Sequence, residues 1–143
     1  MDKEFDSGDT AWVLTSSALV LLMTPALSLF YGGFMPRHAV TSTMMMSWVA
    51  FCAISILWSL LTYSLAFGPG NSIIGGVGFG FFDSADRVRP GTKVPEHAYM
   101  AFQLAFSAVT AAVVSGSVAG KITLTAWVCF ILLWHLFVYV PLA

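Results

Sequence analysis

The chain has 143 residues, of which 58% are apolar and only 9% are charged, and its mean hydropathy is +0.84. A soluble domain carries about 25% charged residues, so six basic and seven acidic side chains are too few to cover a water-facing surface. The composition therefore predicts a protein embedded in a lipid bilayer. The net charge of −1 gives no basic surface for nucleic acid, and the apolar excess excludes disorder.

Charged residues fall into a few clusters, and long uncharged apolar runs separate these clusters. Each run meets the length of about 20 residues that a helix needs to cross about 30 Å of hydrocarbon. Strands are excluded because an open strand in lipid leaves backbone groups unpaired, and a barrel shows alternating segments of about ten residues. The predicted fold is all-α and polytopic, with a tail at 1–9 and a membrane domain at 10–143 whose spans lie at about 10–34, 39–67, 97–119 and 122–143.

Charge alone leaves the orientation of these spans undecided. The loop between the second and third spans holds Arg87, Arg89 and Lys93, whereas the two short turns hold Arg37 and Lys121. This count favours an N-terminus on the inner side by a small margin. The acidic tail, however, is easily translocated, which offsets this margin. Its charge also has the wrong sign for a secretory signal peptide, so the first span is predicted to be retained.

The first span and the loops contain signals for bends and turns. Pro25 removes a backbone donor and predicts a bend beside Thr24, and Gly32 with Gly33 ends the span. The short turn around Pro36 makes the first two spans antiparallel neighbours. The glycine-rich loop at 68–96 is too apolar for a free linker, and we expect it to fold against the membrane face of the protein.

Small residues recur at helical spacing along one face of the third span. Gly116 and Gly120 form a small-xxx-small pair, which lets another helix approach closely where lipid supplies no hydrophobic force. Packing within one subunit is the favoured interpretation, and self-association of subunits is the alternative. The predicted packing face consists of Ala101, Ala105, Ala108, Ala112, Gly116 and Gly120.

Opposite this face, Phe102 and Phe106 lie one turn apart with Gln103 between them. Two aromatic residues at this spacing are commonly bulk that faces lipid or core. The polar Gln103 beside them favours a second interpretation, in which the rings hold a cation.

Signals for chemistry inside the membrane are few. His135 is the only histidine in the interior of a predicted span, since His38 and His97 lie at span ends, and a hydrogen bond to a neighbouring helix explains it more simply than an ion path does. Cys52 and Cys129 are interpreted as small buried hydrophobes, because no Cys/His spacing indicates metal or redox chemistry. No nucleophile, zinc or phosphate-binding motif occurs, so neither an enzyme activity, a metal nor a cofactor is predicted.

Four blocks of sequence, taken in order, closely resemble the ammonium transporters of the ammonium transporter, methylammonium permease and Rh superfamily. One such block alone would be weak, but the ordered set extends over essentially residues 8–143 and is specific. The blocks are 8–12 with 18–25 and 29–33, then 56–58 with 63–68, then 101–103 with Phe106, and finally 133–134 with 139–143.

The resemblance implies a trimer of eleven-span subunits, each with its own pore, and an extracellular N-terminus. It also implies that ammonium is recruited at an outer vestibule by cation–π contacts and hydrogen bonds, loses a proton, and passes a narrow pore lined by two histidines. Phe106 matches the outer gate phenylalanine, and Leu27, Phe30 and Tyr31 match residues near the inner end of the pore. The candidate substrate-binding and pore residues are therefore Phe102, Gln103, Phe106, Leu27, Phe30 and Tyr31.

The departures from the family qualify this function. The chain stops at Ala143, before the family's vestibule tryptophan, its fifth-span aspartate and both pore histidines, and His135 is not one of those histidines. The sequence therefore resembles about four of the family's eleven spans. We expect these four spans not to conduct ammonium alone. One alternative is a regulatory subunit that associates with full-length transporter trimers. Another is a four-span channel formed by oligomerisation, disfavoured because no polar stripe lines it.

Overall fold

The computed structural model describes residues 5–70, 75–76 and 87–143. Within those ranges the regular elements are helical, apart from two isolated β-bridges. The helices are α1 (Ser7–Leu21), α2 (Met23–Gly33), α3 (Val40–Leu57), a first π turn (Trp58–Thr62), α4 (Tyr63–Phe67), α5 (Glu96–Val118), α6 (Leu124–Trp134), a second π turn (His135–Tyr139) and α7 (Val140–Leu142).

These helices join into four segments that are long and apolar enough to cross a bilayer, namely Ser7–Gly33, Val40–Phe67, Glu96–Val118 and Leu124–Leu142. Their bounds lie within three residues of the sequence-based spans. The predicted all-α, four-span membrane fold is confirmed.

Helix α1 begins at Ser7, three residues before the predicted start of the first span at residue 10, because Asp6 caps it. The Asp6 carboxylate accepts hydrogen bonds from the backbone N–H groups of Gly8 at 2.8 Å and Asp9 at 3.1 Å, which are otherwise unpaired donors of the first turn. The first span is interrupted at Leu22, between α1 and α2. This is the predicted irregularity, since Pro25 has no N–H to donate one turn back.

Helix α5 lies at the centre of the described bundle, where it packs against α1, α2 and α3, while α3 also packs against α6. Its small residues allow this close approach, and Ala105, Ala108 and Ala112 are fully buried. The indole nitrogen of Trp127 donates to the Met46 carbonyl at 2.9 Å and so ties α6 to α3. The main core cluster consists of Met46, Ala50, Ile54, Ala111, Trp127 and Ile131.

The two π turns face each other and enclose a second aromatic core. The ring of Trp58 meets the rings of His135 and Tyr139 edge-on, with centroids 6.0 and 6.1 Å apart. Its indole nitrogen donates to the Met100 carbonyl at 3.3 Å, which joins the second and third spans. A π turn brings one extra residue into a helical turn, and such turns often occur at functional sites.

Cys52 and Cys129 are exposed on helix surfaces, so the expectation that both are buried was wrong. In a bilayer an apolar side chain loses nothing by facing lipid, and a hydrophobic run therefore does not distinguish core from lipid-facing positions. The first span shows the same property, because only 17% of its most apolar window is buried inside the chain.

Part of the glycine-rich loop is described, and it lies against the end of α4. Gly75 donates its N–H to the Leu65 carbonyl at 2.6 Å, and the Ser64 hydroxyl donates to the Gly76 carbonyl at 2.6 Å. A Cβ atom at Gly75 would stand 2.6 Å from the Ser64 carbonyl oxygen, so only glycine fits there. The rest of the predicted apolar loop segment, 71–74 and 77–86, lies outside the described residues.

Candidate functional site

The first half of α5 carries the aromatic pair that the sequence singled out. The rings of Phe102 and Phe106 meet edge-on with centroids 5.0 Å apart, as their spacing of one helical turn requires. Phe106 is 41% exposed, whereas Phe102 is half-buried. The pair therefore presents an aromatic edge and face on a surface that the rest of the described chain leaves uncovered.

Gln103 lies beside this pair, and its amide is fixed by a neighbour one turn earlier. The Gln103 Nε2 donates to the Tyr99 hydroxyl oxygen at 2.8 Å. The Tyr99 ring in turn meets Phe67 edge-on, with centroids 5.7 Å apart at 88°. The amide nitrogen is thus directed towards Tyr99.

An ionic cluster that the sequence analysis missed lies at the start of α5. Glu96 is the first residue of the helix and only 1% exposed, and its Oε1 accepts from Arg89 Nη1 at 3.2 Å and from the Tyr63 hydroxyl. The Arg89 guanidinium lies 4.1 Å from the centroid of the Tyr99 ring and 5.1 Å from that of Phe67. The carboxylate is therefore paired rather than an isolated buried charge.

This cluster also borders a cavity of about 380 Å³, whose lining includes Phe67, Gly68, Pro69, Arg89, Pro90 and Glu96. The sequence analysis placed residue 96 at the end of the glycine-rich loop and predicted no partner for it. The sequence did contain a signal for this cluster. Glu96 stands at a helix start seven residues after Arg89, and Tyr63 lies near the end of the preceding span.

Tyr31 contacts α5 two turns further along the helix. Its hydroxyl donates to the Val113 carbonyl at 3.2 Å, and its ring packs against Gly116. Val113 lies seven residues after Phe106, on the same helical face and about 10 Å along the axis. Tyr31 and the aromatic pair thus border one surface of α5 at positions about two helical turns apart.

Leu27 and Phe30 border a groove of about 380 Å³ whose lining also includes Met23 and Ala26. The ring of Phe30 meets that of Tyr31 edge-on with centroids 5.6 Å apart, and Phe30 is 58% exposed. The six sequence-selected residues therefore do not form one pocket. They form one group on α5 (Phe102, Gln103 and Phe106) and one on α2 (Leu27, Phe30 and Tyr31). These are called the outer and the inner group after the sides that the family resemblance implies.

The residues selected for helix packing have different environments. Ala112 is fully buried, and Gly116 contacts the Tyr31 ring inside this chain. Gly120 lies beyond the last residue of α5, with φ at +71°, and the nearest side-chain atom to a Cβ there would be Met35 Sδ at 3.9 Å. The positive φ of Gly120 lets the chain turn after the helix, and its packing role stays a prediction.

His135 is fully buried, and its Nε2 lies 3.2 Å from the Thr62 hydroxyl across the two π turns. Its ring stacks on that of Tyr139 with centroids 4.8 Å apart. This is the interhelical hydrogen bond that the simpler interpretation anticipated. His135 Nδ1 has no hydrogen-bond partner among the described residues.

Metal ligands do not cluster in the described part of the chain, where no group of three or more His, Cys, Asp or Glu side chains is placed to hold an ion. The arrangement offers aromatic faces, an amide and hydroxyls along an apolar surface. Exposed aromatic faces and amide groups of this kind suit recognition of a small cation.

The four apolar helical spans define a polytopic helical membrane protein. A family model, described as Ammonium Transporter Family, matches residues 11–143. The chain belongs to this family.

Individual relatives agree with the family match. The chain is 41% identical to an ammonium transporter of Bacillus subtilis, with 95% of this chain and 34% of the relative covered. It is 40% identical to an ammonium transporter of Mycobacterium tuberculosis, with 96% and 33% covered. Among solved structures, Saccharomyces cerevisiae Mep2 matches with a TM-score of 0.87 at 30% identity, over 100% of this chain and 33% of Mep2. The chain thus spans about a third of the length of the relatives it matches.

Proposed function

We propose that this chain supplies the first four spans of a protein that moves ammonium or ammonia across a membrane. The observation that carries the proposal is the outer group on α5, where Phe106 is 41% exposed beside Phe102 and Gln103. An exposed ring face attracts an ammonium cation through its quadrupole, an effect worth about 0.5–2 kcal/mol depending on desolvation. An adjacent amide oxygen accepts one of its N–H donors.

The inner group extends this path. Leu27 and Phe30 border an apolar groove, and the neighbouring Tyr31 packs against α5 at Gly116. An apolar passage disfavours the cation and admits the neutral molecule, because a charge in hydrocarbon loses its hydration. We therefore propose that ammonium is bound at the outer group and that ammonia passes the inner group.

We further propose that the four spans do not conduct by themselves. The candidate surface is open in the described chain, with Phe30 58% and Val113 48% exposed. A pore needs a wall on its opposite side. In the relatives, the two thirds of the sequence that this chain does not match would provide that wall. The same proposal includes assembly as a trimer, an N-terminus on the outer side of the membrane and residence in the plasma membrane.

The test is ammonium-dependent conductance in liposomes. One sample contains the chain alone, and a second contains the chain co-produced with the part of the Bacillus subtilis relative that follows the matched segment. We expect conductance in the second sample only, and a drop of about tenfold for Phe106→Ala, equivalent to about 1.4 kcal/mol. Phe137→Ala is the matched control, because Phe137 is 71% exposed on a different helix.

Each outcome decides one part of the proposal. Conductance by the chain alone with the same Phe106 dependence would show that the four spans form their own pore. If the completed protein is inserted and conducts no ammonium, the proposed substrate is wrong. Equal losses in Phe106→Ala and Phe137→Ala would remove the outer group from the path.

A second candidate function is that of a subunit that associates with full-length ammonium transporters. The observation that favours it is the first span, whose apolar window is only 17% buried and whose Leu19 and Leu29 are each 65% exposed. Co-purification with a full-length relative, together with a change in that relative's ammonium uptake, would support this role. Uptake that stays unchanged at saturating amounts of the chain would contradict it.

A further inference from the structure

The ionic cluster at the outer end of α5 is connected to the candidate substrate surface by a chain of direct contacts. Arg89 Cζ lies 4.1 Å from the centroid of the Tyr99 ring, and the Tyr99 hydroxyl accepts from Gln103 Nε2 at 2.8 Å. Two contacts therefore lead from a loop guanidinium to the amide beside Phe106.

The guanidinium is itself held in place. Arg89 Nη1 lies 3.2 Å from the buried Glu96 Oε1, and the Arg89 backbone N–H donates to the Val94 carbonyl at 3.0 Å. Gly91, with φ at +79°, allows the tight turn that returns the chain from Arg89 to Val94. Both ends of the arginine are thus anchored, and a planar guanidinium stacked on an aromatic ring has a defined orientation.

Tyr99 packs against both this guanidinium and the ring of Phe67, and the guanidinium also lies over Phe67. These contacts hold the half-buried side chain in place and so fix the position of its hydroxyl. Since a glutamine amide has one donating and one accepting end, the bond from Nε2 to Tyr99 determines where Oε1 points. No described residue donates to Gln103 Oε1, which leaves this carbonyl oxygen available to a ligand.

We propose that Arg89 is a positioning residue which, through Tyr99, holds Gln103 with its carbonyl oxygen available to accept a hydrogen bond from an ammonium cation at the Phe106 surface. Arg89 does not touch the cation. This inference rests on the proposed substrate, and it adds the residues that set the geometry of its polar contact.

The arrangement also explains why an arginine can lie near a cation-binding surface. Glu96 pairs with Arg89, so the pair has no net charge, and the ring of Tyr99 stands between the guanidinium and Gln103. The cluster thus acts on Gln103 by geometry, with little repulsion of an approaching cation.

The experiment uses the whole chain in lipid nanodiscs. Gln103 is the only glutamine in the sequence, so side-chain ¹⁵N-glutamine labelling gives a single NH₂ pair in the NMR spectrum. Ammonium chloride is titrated into the sample, with sodium chloride and tetramethylammonium chloride as comparisons. The expected result is a saturable shift with ammonium and none with sodium, and a smaller shift with tetramethylammonium, which has no N–H to donate.

Three variants test the positioning. In Tyr99→Phe the ring and its cation–π contact stay while the hydroxyl is lost, and we expect ammonium to bind Gln103 about tenfold more weakly. Arg89→Met, which adds no second glutamine, should have the same effect, and Arg89→Lys should restore part of the affinity because an ammonium group keeps the ion pair but not the planar stacking. Lys93→Met removes the same charge from an exposed position in the same loop and should change nothing.

The outcomes separate this inference from the proposed transport. Equal ammonium affinity in Arg89→Met and Lys93→Met would overturn the positioning role, as would a Tyr99→Phe variant that binds like the original chain. Absence of an ammonium-specific shift in the original chain would overturn recognition by Gln103. Either result can occur while conductance of the completed protein still depends on Phe106. A saturable Gln103 shift together with no conductance by the completed protein would instead refute the transport role. Circular dichroism confirms that each variant remains helical.

Discussion

The ring of Tyr31 lies so close to Gly116 that a Cβ atom at position 116 would stand 2.5 Å from Tyr31 Cζ. The same tyrosine donates to the Val113 carbonyl at 3.2 Å, so both its ring and its hydroxyl are matched to one stretch of α5. A glycine on the third span thereby determines how closely the first span approaches. The candidate inner group depends on this contact, because Tyr31 borders Phe30.

We expect Gly116→Ala to lower the free energy of unfolding by about 1–3 kcal/mol, since the added methyl group forces the Tyr31 ring away and weakens its hydrogen bond. Gly33→Ala is the matched control, because a Cβ there meets nothing within 4 Å. Unfolding in mixed micelles, followed by tryptophan fluorescence, measures the difference. Equal stability of the two variants would mean that Tyr31 adapts without cost.

The hydrogen bond between Thr62 and His135 gives a second prediction. Thr62→Val leaves His135 Nε2 without its partner in a fully buried position, which should cost about 1–3 kcal/mol of unfolding free energy. Thr110→Val is the control, since the Thr110 hydroxyl bonds only to the Phe106 carbonyl of its own helix.

A double-mutant cycle sharpens this test. With His135→Leu in place, the further change Thr62→Val should cost much less, because no imidazole remains unpaired, and the coupling energy should reach about 1 kcal/mol. Additive losses would show that the two side chains are energetically independent. The same unfolding measurement serves all four variants.

The four spans could be predicted because charge clusters bound them, and Pro25 marked the interruption near Leu22. Long-range pairings could not be predicted, since Thr62 and His135 are 73 positions apart and neither has a distinctive local pattern. The burial of Glu96 was missed for a related reason. An acid at a helix start is commonly solvated, and only the tertiary fold brings Arg89 and Tyr63 to it.

The outer and inner groups of the candidate site were selected by resemblance to a family, and the structure adds what lies between them. Gly120 shows the limit of spacing alone, because it falls at the predicted interval from Gly116 but beyond the end of α5. A periodic pattern does not record where a helix stops. Cys52 and Cys129 show the same limit for burial, since lipid and core select the same apolar residues.

Trp127 gives a third prediction, because its indole nitrogen joins the fourth span to the second at Met46. Trp127→Phe removes the donor and part of a fully buried side chain, and we expect a loss of about 1–3 kcal/mol in unfolding free energy. Trp12→Phe, at a residue 74% exposed, should change stability by less than about 0.5 kcal/mol. Thermal unfolding followed by circular dichroism compares the two, and equal midpoints would contradict the role of this contact.

The ion pair between Glu96 and Arg89 gives the last prediction. Glu96→Gln keeps the shape of the side chain but removes the charge, and we expect a loss of about 1–3 kcal/mol. The loss should be smaller than for a fully buried pair, because Arg89 remains 23% exposed and keeps part of its hydration. Asp9→Asn, at an exposed acid of the first turn, is the control for removing one negative charge.

Salt dependence distinguishes this pair from a surface interaction. Raising the ionic strength from about 0.1 M to about 1 M shortens the Debye length from about 10 Å to about 3 Å, which screens exposed charges but acts weakly on a carboxylate that is 1% exposed. The stability difference between the original chain and Glu96→Gln should therefore persist at high salt. Its disappearance would mean that Glu96 is solvated in the membrane-embedded protein and does not anchor Arg89.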